Sequence, residues 1–248
     1  MKVSVEIKQK GRNMDQVIDG IRKKLSELAD EEVRKKGEHF FKENVKLYGI
    51  RNAEVHKLSK ELFRELDDKS KKRVYGYCEE LWKSGYIEES FIACNWSLAV
   101  RKESEDSDIV IFEKWINSYV NNWASCDTLC NHTVGELIEK YPELINNLKK
   151  WAHSGNRWMR RAAAVSLIVP ARKGKFLDDI FAIANILLED EDDMVRKGYG
   201  WMLKAASEAS QEEVYDFVVK HHGKMPRTAF RYAIEKLPAG MRARAMSL

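Results

Sequence analysis

Proline is scarce in this chain, with four residues in 248, and neither a Gly/Ser tract nor a cluster of turn residues makes up for it. β-Sandwiches and barrels need many more turn formers, so an all-α protein is the expectation. Cysteine is scarce too. Cys78, Cys94, Cys126 and Cys130 contain no CxxC pair, and no secretory signal precedes them, which points to a reducing, cytoplasmic setting. Long apolar runs are missing: the longest, Ala162–Ala171, is interrupted by Ser166 and Pro170 and falls far short of the ~20 residues of a membrane span. Metal-ligand patterns are also absent. Cys126, Cys130 and His132 lack the second cluster that zinc sites add, and Asp190–Asp193 lacks the spacing and glycine of an EF-hand. No metal, cofactor or membrane is therefore expected, and His132, His153, His221 and His222 belong to surface or core.

What is present is charge, unevenly placed. Charged residues make up 33% of the chain and hydrophobic ones 44%, enough to bury a sizeable core. The net charge of +4 hides blocks. Residues 143–175 hold eight Lys/Arg against one acid, 178–193 hold seven acids and no Lys or Arg, and 194–248 are basic again. Alternating blocks suggest two differently charged surfaces.

Apolar residues recur at helical spacing from residue 13 onward. Helices are expected over 13–29, 30–44, 52–65, 68–83, 88–101, 109–119, 123–140, 143–153, 158–169, 176–188, 194–207, 211–221 and 226–237, with Gly49 and Ser84–Gly85 as breaks and 1–12 as a tail or short arm. WMRRAAAVSLI from Trp158 and MVRKGYGWMLK from Met194 are offset by 36 residues, and Trp123 heads a similar segment 35 residues before Trp158. Such periods mean stacked helical hairpins, each burying its face on the next. LEDEDDMVRKGYGWMLKAA resembles a HEAT repeat. The fold class expected is an all-α, HEAT-like helical-repeat superhelix (α-solenoid) forming a single domain over 13–248. Its basic helix starts fall on the second helix of each pair, giving a cationic concave face. Arg157, Arg160, Arg196, Lys197, Lys204, Arg227 and Arg231 are the candidate phosphate contacts on that face.

One stretch stands apart. In NNWASCDTLCN (121–131), Trp123 and Asp127 are four residues apart, so a helix sets indole and carboxylate on one face. Asp is unfavourable in a helix body, and that cost invites a functional reading. The plainer alternative makes Trp123 core and leaves Asp127 solvated or paired with an Arg.

NWASCD (122–127), WMRRAAAV (158–165), VRKGYGWMLK (195–204) and FRYAIEKL (230–237) together resemble the DNA alkylation repair (AlkD-type) family of HEAT-like glycosylases, over most of the chain from about Val33 to Leu237. The resemblance implies a bacterial, monofunctional DNA glycosylase that removes positively charged N3- and N7-alkylated purines from duplex DNA without flipping the base into a pocket. It implies Asp127 as the catalytic carboxylate, Trp123 and Trp201 as the indoles lining the lesion deoxyribose, and Arg161 as their neighbour. Tyr48 and Arg51, in a YG-I-R segment, become further DNA contacts.

The chemistry is coherent. A cationic purine needs no general acid to leave, and the barrier lies in the oxocarbenium-like sugar left behind. A carboxylate stabilises that charge and can orient the attacking water, while indole faces favour a cation and exclude bulk water. The competing expectation is a non-enzymatic helical-repeat scaffold that binds nucleic acid or an acidic protein. A metal-dependent nuclease would need several carboxylates on the basic helices, and only Asp127 is found there. A monomer is expected, acting in the cytoplasm and associated with the nucleoid when bound to DNA.

Overall fold

The computed structural model describes residues 13–248; the tail expected over 1–12 lies outside them. Among these residues every named element is helical, and an isolated bridge between Lys46 and Tyr86 is the sole extended pairing.

Local chemistry explains the first elements. Asn13 and Gln16 form a reciprocal capping box that starts α1 (Met14–Glu27). Val17, Ile18, Ile21 and Leu25 then form one buried stripe against α4 (Lys71–Ser84), each worth about 1.5–3 kcal/mol. Gly85, at φ 74°, ends α4 in the left-handed conformation that favours glycine. Asp30 caps α2 (Glu31–Phe40), a helix that buries none of its residues. The helix expected to run to residue 44 stops at Phe40, because the chain then extends and turns at Gly49. There φ is 89°, and a Cβ would sit 2.2 Å from the Asp30 carbonyl oxygen.

The repeat emerges from α3 onward. Helices α3 (Asn52–Arg64), α5 (Ile87–Ala99), α7 (Trp123–Thr128), α10 (Arg157–Val165), α13 (Asp193–Ala206) and α15 (Arg227–Ala233) pack each on the next as one layer. Between them in sequence come α6 (Ile109–Tyr119), α9 (Ile145–Trp151), α12 (Leu177–Ile186) and α14 (Gln211–His221), which complete the hairpins. The repeat helices that the 35–36-residue offset picked out are α7, α10 and α13, and α15 continues the series. Fully buried Trp96, Trp115, Phe112 and Tyr199 anchor the core.

Three further expected helices differ. The span 123–140 is divided into α7, a π-helical turn over Leu129–Val134, and α8 (Gly135–Lys140). The wider turn changes which residues meet the neighbouring repeat: Asp127 faces α10, whereas Gly135 lies so near Ser166 that a Cβ would sit 2.8 Å from its carbonyl oxygen. The span 158–169 ends at Val165, and α11 (Ile168–Arg172) follows. Pro170 is tolerated there in the first turn, where helix amides have no partner. The last expected helix ends at Ala233, after which α16 (Ala239–Met246) begins.

Candidate active site

Asn122 sets the geometry of the site. Its side-chain oxygen accepts from the Ser125 amide at 2.9 Å, which fixes the start of α7 and places Asp127 one turn beyond Trp123. The Ser125 hydroxyl shares a 2.7 Å hydrogen bond with the Ser90 hydroxyl and so ties α7 to α5. From α10, Arg161 meets Asp127 in a fork: Nε donates to Oδ1 at 2.8 Å and Nη2 to Oδ2 at 2.7 Å. Its Nη1 donates to the Met194 carbonyl at the start of α13. Gly198 makes this possible, because a Cβ there would press on Arg161 Cγ at 3.3 Å.

Both partners are buried, Asp127 at 8% exposure and Arg161 at 5%. Burial pushes the Asp127 carboxyl above its ordinary value, while the Arg161 fork pulls the other way. Burial would lower Arg161, but its bonds to Asp127 more than offset this and hold the guanidinium charged. A carboxylate has about four lone-pair sites. The fork occupies one on each oxygen and leaves the others without a hydrogen-bond donor among the described residues.

Exposure divides the tryptophans into two groups. Of seven, Trp82, Trp96, Trp115, Trp151 and Trp158 are buried, while Trp123 and Trp201 are half-buried. Trp201 lies three residues after Gly198, on the side of α13 that receives Arg161. The four residues expected to share a site thus stand on three successive helices of one layer.

The expected DNA contacts fare differently. Tyr48 is committed internally: its hydroxyl donates to Glu89 at 2.8 Å, its ring lies 4.3 Å from that of Tyr86, and burial with the Glu89 bond raises its pKa. Arg51 is exposed. Arg157 pairs with Glu43 and Asp192 and lies over the Trp158 ring, and Arg160 forks onto Asp190. Arg196 donates to the Asp190 carbonyl at 2.5 Å, Lys197 pairs with Asp193, and Lys204 pairs with Glu235. Arg227 and Arg231 are exposed and make no ion pair among the described residues. The expectation of two separate charged surfaces is therefore corrected. The acidic turn before α13 sits among the helix starts that carry the cations, so opposite charges neutralise each other locally.

Two features were not legible as site elements. Glu88, buried, accepts from the amides of Tyr48, Gly49 and Ile50 at 3.1, 2.9 and 3.1 Å and so clamps that loop. In sequence it reads only as an acid in a first helical turn. Phe40 and Phe41, adjacent at the end of α2, lie against Trp123 at 5.8 and 5.6 Å between ring centres.

A layered helical-repeat protein with a carboxylate, a guanidinium and two partly open indoles on adjacent helices is the class that fold and site define. The model of the DNA alkylation repair enzyme family matches residues 21–237, and the chain belongs to that family. Membership gives it a role in DNA repair. Among solved structures, a predicted DNA alkylation repair enzyme from Enterococcus faecalis is 18% identical, with TM-score 0.75 over 85% of this chain and 97% of that one. AlkD2 from Streptococcus mutans is 19% identical, with TM-score 0.62 over 92% and 100%. The smu.31 protein of Streptococcus mutans UA159 is 19% identical, with TM-score 0.60 over 91% and 100%. At these identities the likeness establishes the fold alone. No curated protein matches. No helix among the described residues is long and apolar enough to cross a membrane.

Proposed function

We propose that this chain is a monofunctional DNA glycosylase that releases N3- and N7-alkylated, positively charged purines from duplex DNA in the bacterial cytoplasm, acting as a monomer without a cofactor. The observation that carries the reading is that Trp123 and Trp201, the tryptophans left half-buried among the described residues, stand on the two helices that flank Arg161's own, with Asp127 on the first of them. In the reaction the glycosidic C–N bond breaks with its electrons going to the purine, which neutralises it. Positive charge then develops on the sugar, and the Asp127 carboxylate, held in one orientation by Arg161, stabilises it. Because Arg161 offsets part of that negative charge, the indole faces of Trp123 and Trp201 carry a correspondingly larger share. Water then attacks C1′, and its proton passes to Asp127 or solvent.

DNA binding in this reading rests on phosphate contacts from Arg51, Arg157, Arg160, Arg196, Lys197, Lys204, Arg227 and Arg231, with Tyr48 holding the loop that presents Arg51. Incubation with duplex DNA carrying N7-methylguanine or N3-methyladenine, followed by separation of free base, tests the activity: free methylated base is expected, above the spontaneous rate. A second reading, a non-enzymatic binding scaffold, is favoured by one observation, the engagement of both Asp127 oxygens by Arg161. Duplex binding with no release from either lesion would select it.

A further inference from the structure

One ion pair joins distant parts of the chain one turn before Arg161 on α10. Arg157 donates from Nη2 to Oε1 of Glu43 at 2.6 Å, 114 residues away in sequence. Glu43 lies outside any helix, between the end of α2 and the bridge at Lys46, and follows closely on Phe41. Phe40 and Phe41 rest on Trp123, while α2 itself buries none of its residues. The ion pair and the aromatic contact therefore hold one short segment, 40–43, against α7 and α10.

The hold is incomplete. Arg160 and Arg161 each fork onto a carboxylate through two nitrogens. Arg157 gives Glu43 a single hydrogen bond, and Arg157 Nε and Glu43 Oε2 are buried without a hydrogen-bond partner among the described residues. The Nη1 of Arg157 reaches Asp192 only at 3.4 Å. A guanidinium edge matches two oxygens of a phosphate, so exchanging Glu43 for a phosphodiester satisfies Nε as well as Nη2 and returns Glu43 Oε2 to water.

We propose that Glu43 stands in for a DNA phosphate at Arg157: the free protein keeps segment 40–43 latched over Trp123, and an arriving backbone phosphate releases it. The part that moves is this segment, while the bases stay within the duplex. The inference rests on the DNA-binding reading above and adds that the indole is uncovered only once the duplex has engaged.

Affinity for an undamaged duplex at fixed salt tests the latch in wild type, Glu43→Gln, Arg157→Gln and the double variant. Glu43→Gln keeps the size of the side chain and removes the competing charge, so affinity should rise about three- to fivefold. Arg157→Gln should lower affinity, and adding Glu43→Gln to it should gain nothing, since the acid then has no guanidinium to occupy. In the DNA-free proteins, acrylamide quenching of Trp123, taken as the difference between each protein and its Trp123→Phe counterpart, should be greater in Glu43→Gln than in wild type. A gain that persists without Arg157 would reduce Glu43 to a general charge effect, and unchanged affinity with unchanged quenching would make it a structural partner. Either result overturns the latch and leaves the DNA reading standing. Failure of wild type and Glu43→Gln alike to bind the duplex would overturn both.

Discussion

Helices α7, α10 and α13 carry two sets of ion pairs. Asp127–Arg161 is sealed, with side chains 11% and 6% exposed, whereas Lys197–Asp193, at 31% and 45%, and Arg157–Asp192, at 38% and 21%, face solvent. The chemistry of attraction is the same, and burial sets what each pair can do. A sealed pair cannot exchange its partner without stranding a charge in a low-dielectric interior, so it fixes geometry. An open pair gains little in stability, and its cation can trade a carboxylate for a phosphate. The first kind suits a catalytic carboxylate that must hold one orientation, and the second suits reversible contact with a duplex.

The contrast breaks most visibly in stability. Arg161→Ala leaves the Asp127 carboxylate buried without its partner and should cost about 3–5 kcal/mol, while Lys197→Ala should cost less than about 1 kcal/mol. Denaturant unfolding of both variants checks this, and similar losses would erase the distinction. pH sharpens the comparison next. Burial raises the Asp127 carboxyl above its ordinary value, so base release, which needs the carboxylate, should begin to fall at a higher pH than an ordinary aspartate would set, by about tenfold per pH unit once the carboxyl is mostly protonated. Stability responds in the opposite sense. A carboxyl whose folded pKa lies above its unfolded one contributes most at low pH, and that contribution is lost as pH rises through the folded value. Single-turnover rates and unfolding midpoints on one pH series should therefore diverge on the acid side.

The smallest effect concerns salt. Neutralising exposed Arg231 should shallow the log–log salt slope of duplex binding by about 0.9. Neutralising Lys197 should shallow it by clearly less, because opening that pair frees Asp193 to take up a cation in turn. Titrations across a salt series measure both slopes, and equal changes would mean that the open pairs impose no such penalty.

Much of this arrangement was legible in the sequence because it is local. Apolar spacing set out α1, α3, α6 and α14 nearly to their ends, and the 36-residue offset gave the repeat. Trp123, Asp127, Arg161 and Trp201 were singled out through motif resemblance, and their place on successive helices follows from the stacking of α7, α10 and α13. What was not legible is tertiary. A π turn inside an apolar helix leaves the hydrophobic pattern nearly unchanged, so the break at Leu129 gave no signal. The short α16, rich in Ala and Arg, offers little periodicity. Counting charges along the chain separated acids from bases that the fold interleaves, since a turn and the helix starts of two repeats meet only after stacking. The plainer expectation for Asp127, pairing with an Arg, also holds, and the pairing and the proposed chemistry concern the same side chain.

Asp127→Asn tests the central claim most directly, provided that folding is followed alongside. The substitution keeps the shape of the side chain but leaves Arg161 with a neutral partner, so some loss of stability is expected, and rates should be compared at a temperature where both proteins are folded by circular dichroism. Under single-turnover conditions on duplex DNA containing N7-methylguanine, the account predicts release slowed by about 10²–10³-fold, with duplex affinity largely kept. Release at the wild-type rate by folded Asp127→Asn would contradict it and leave the carboxylate as a structural partner of Arg161.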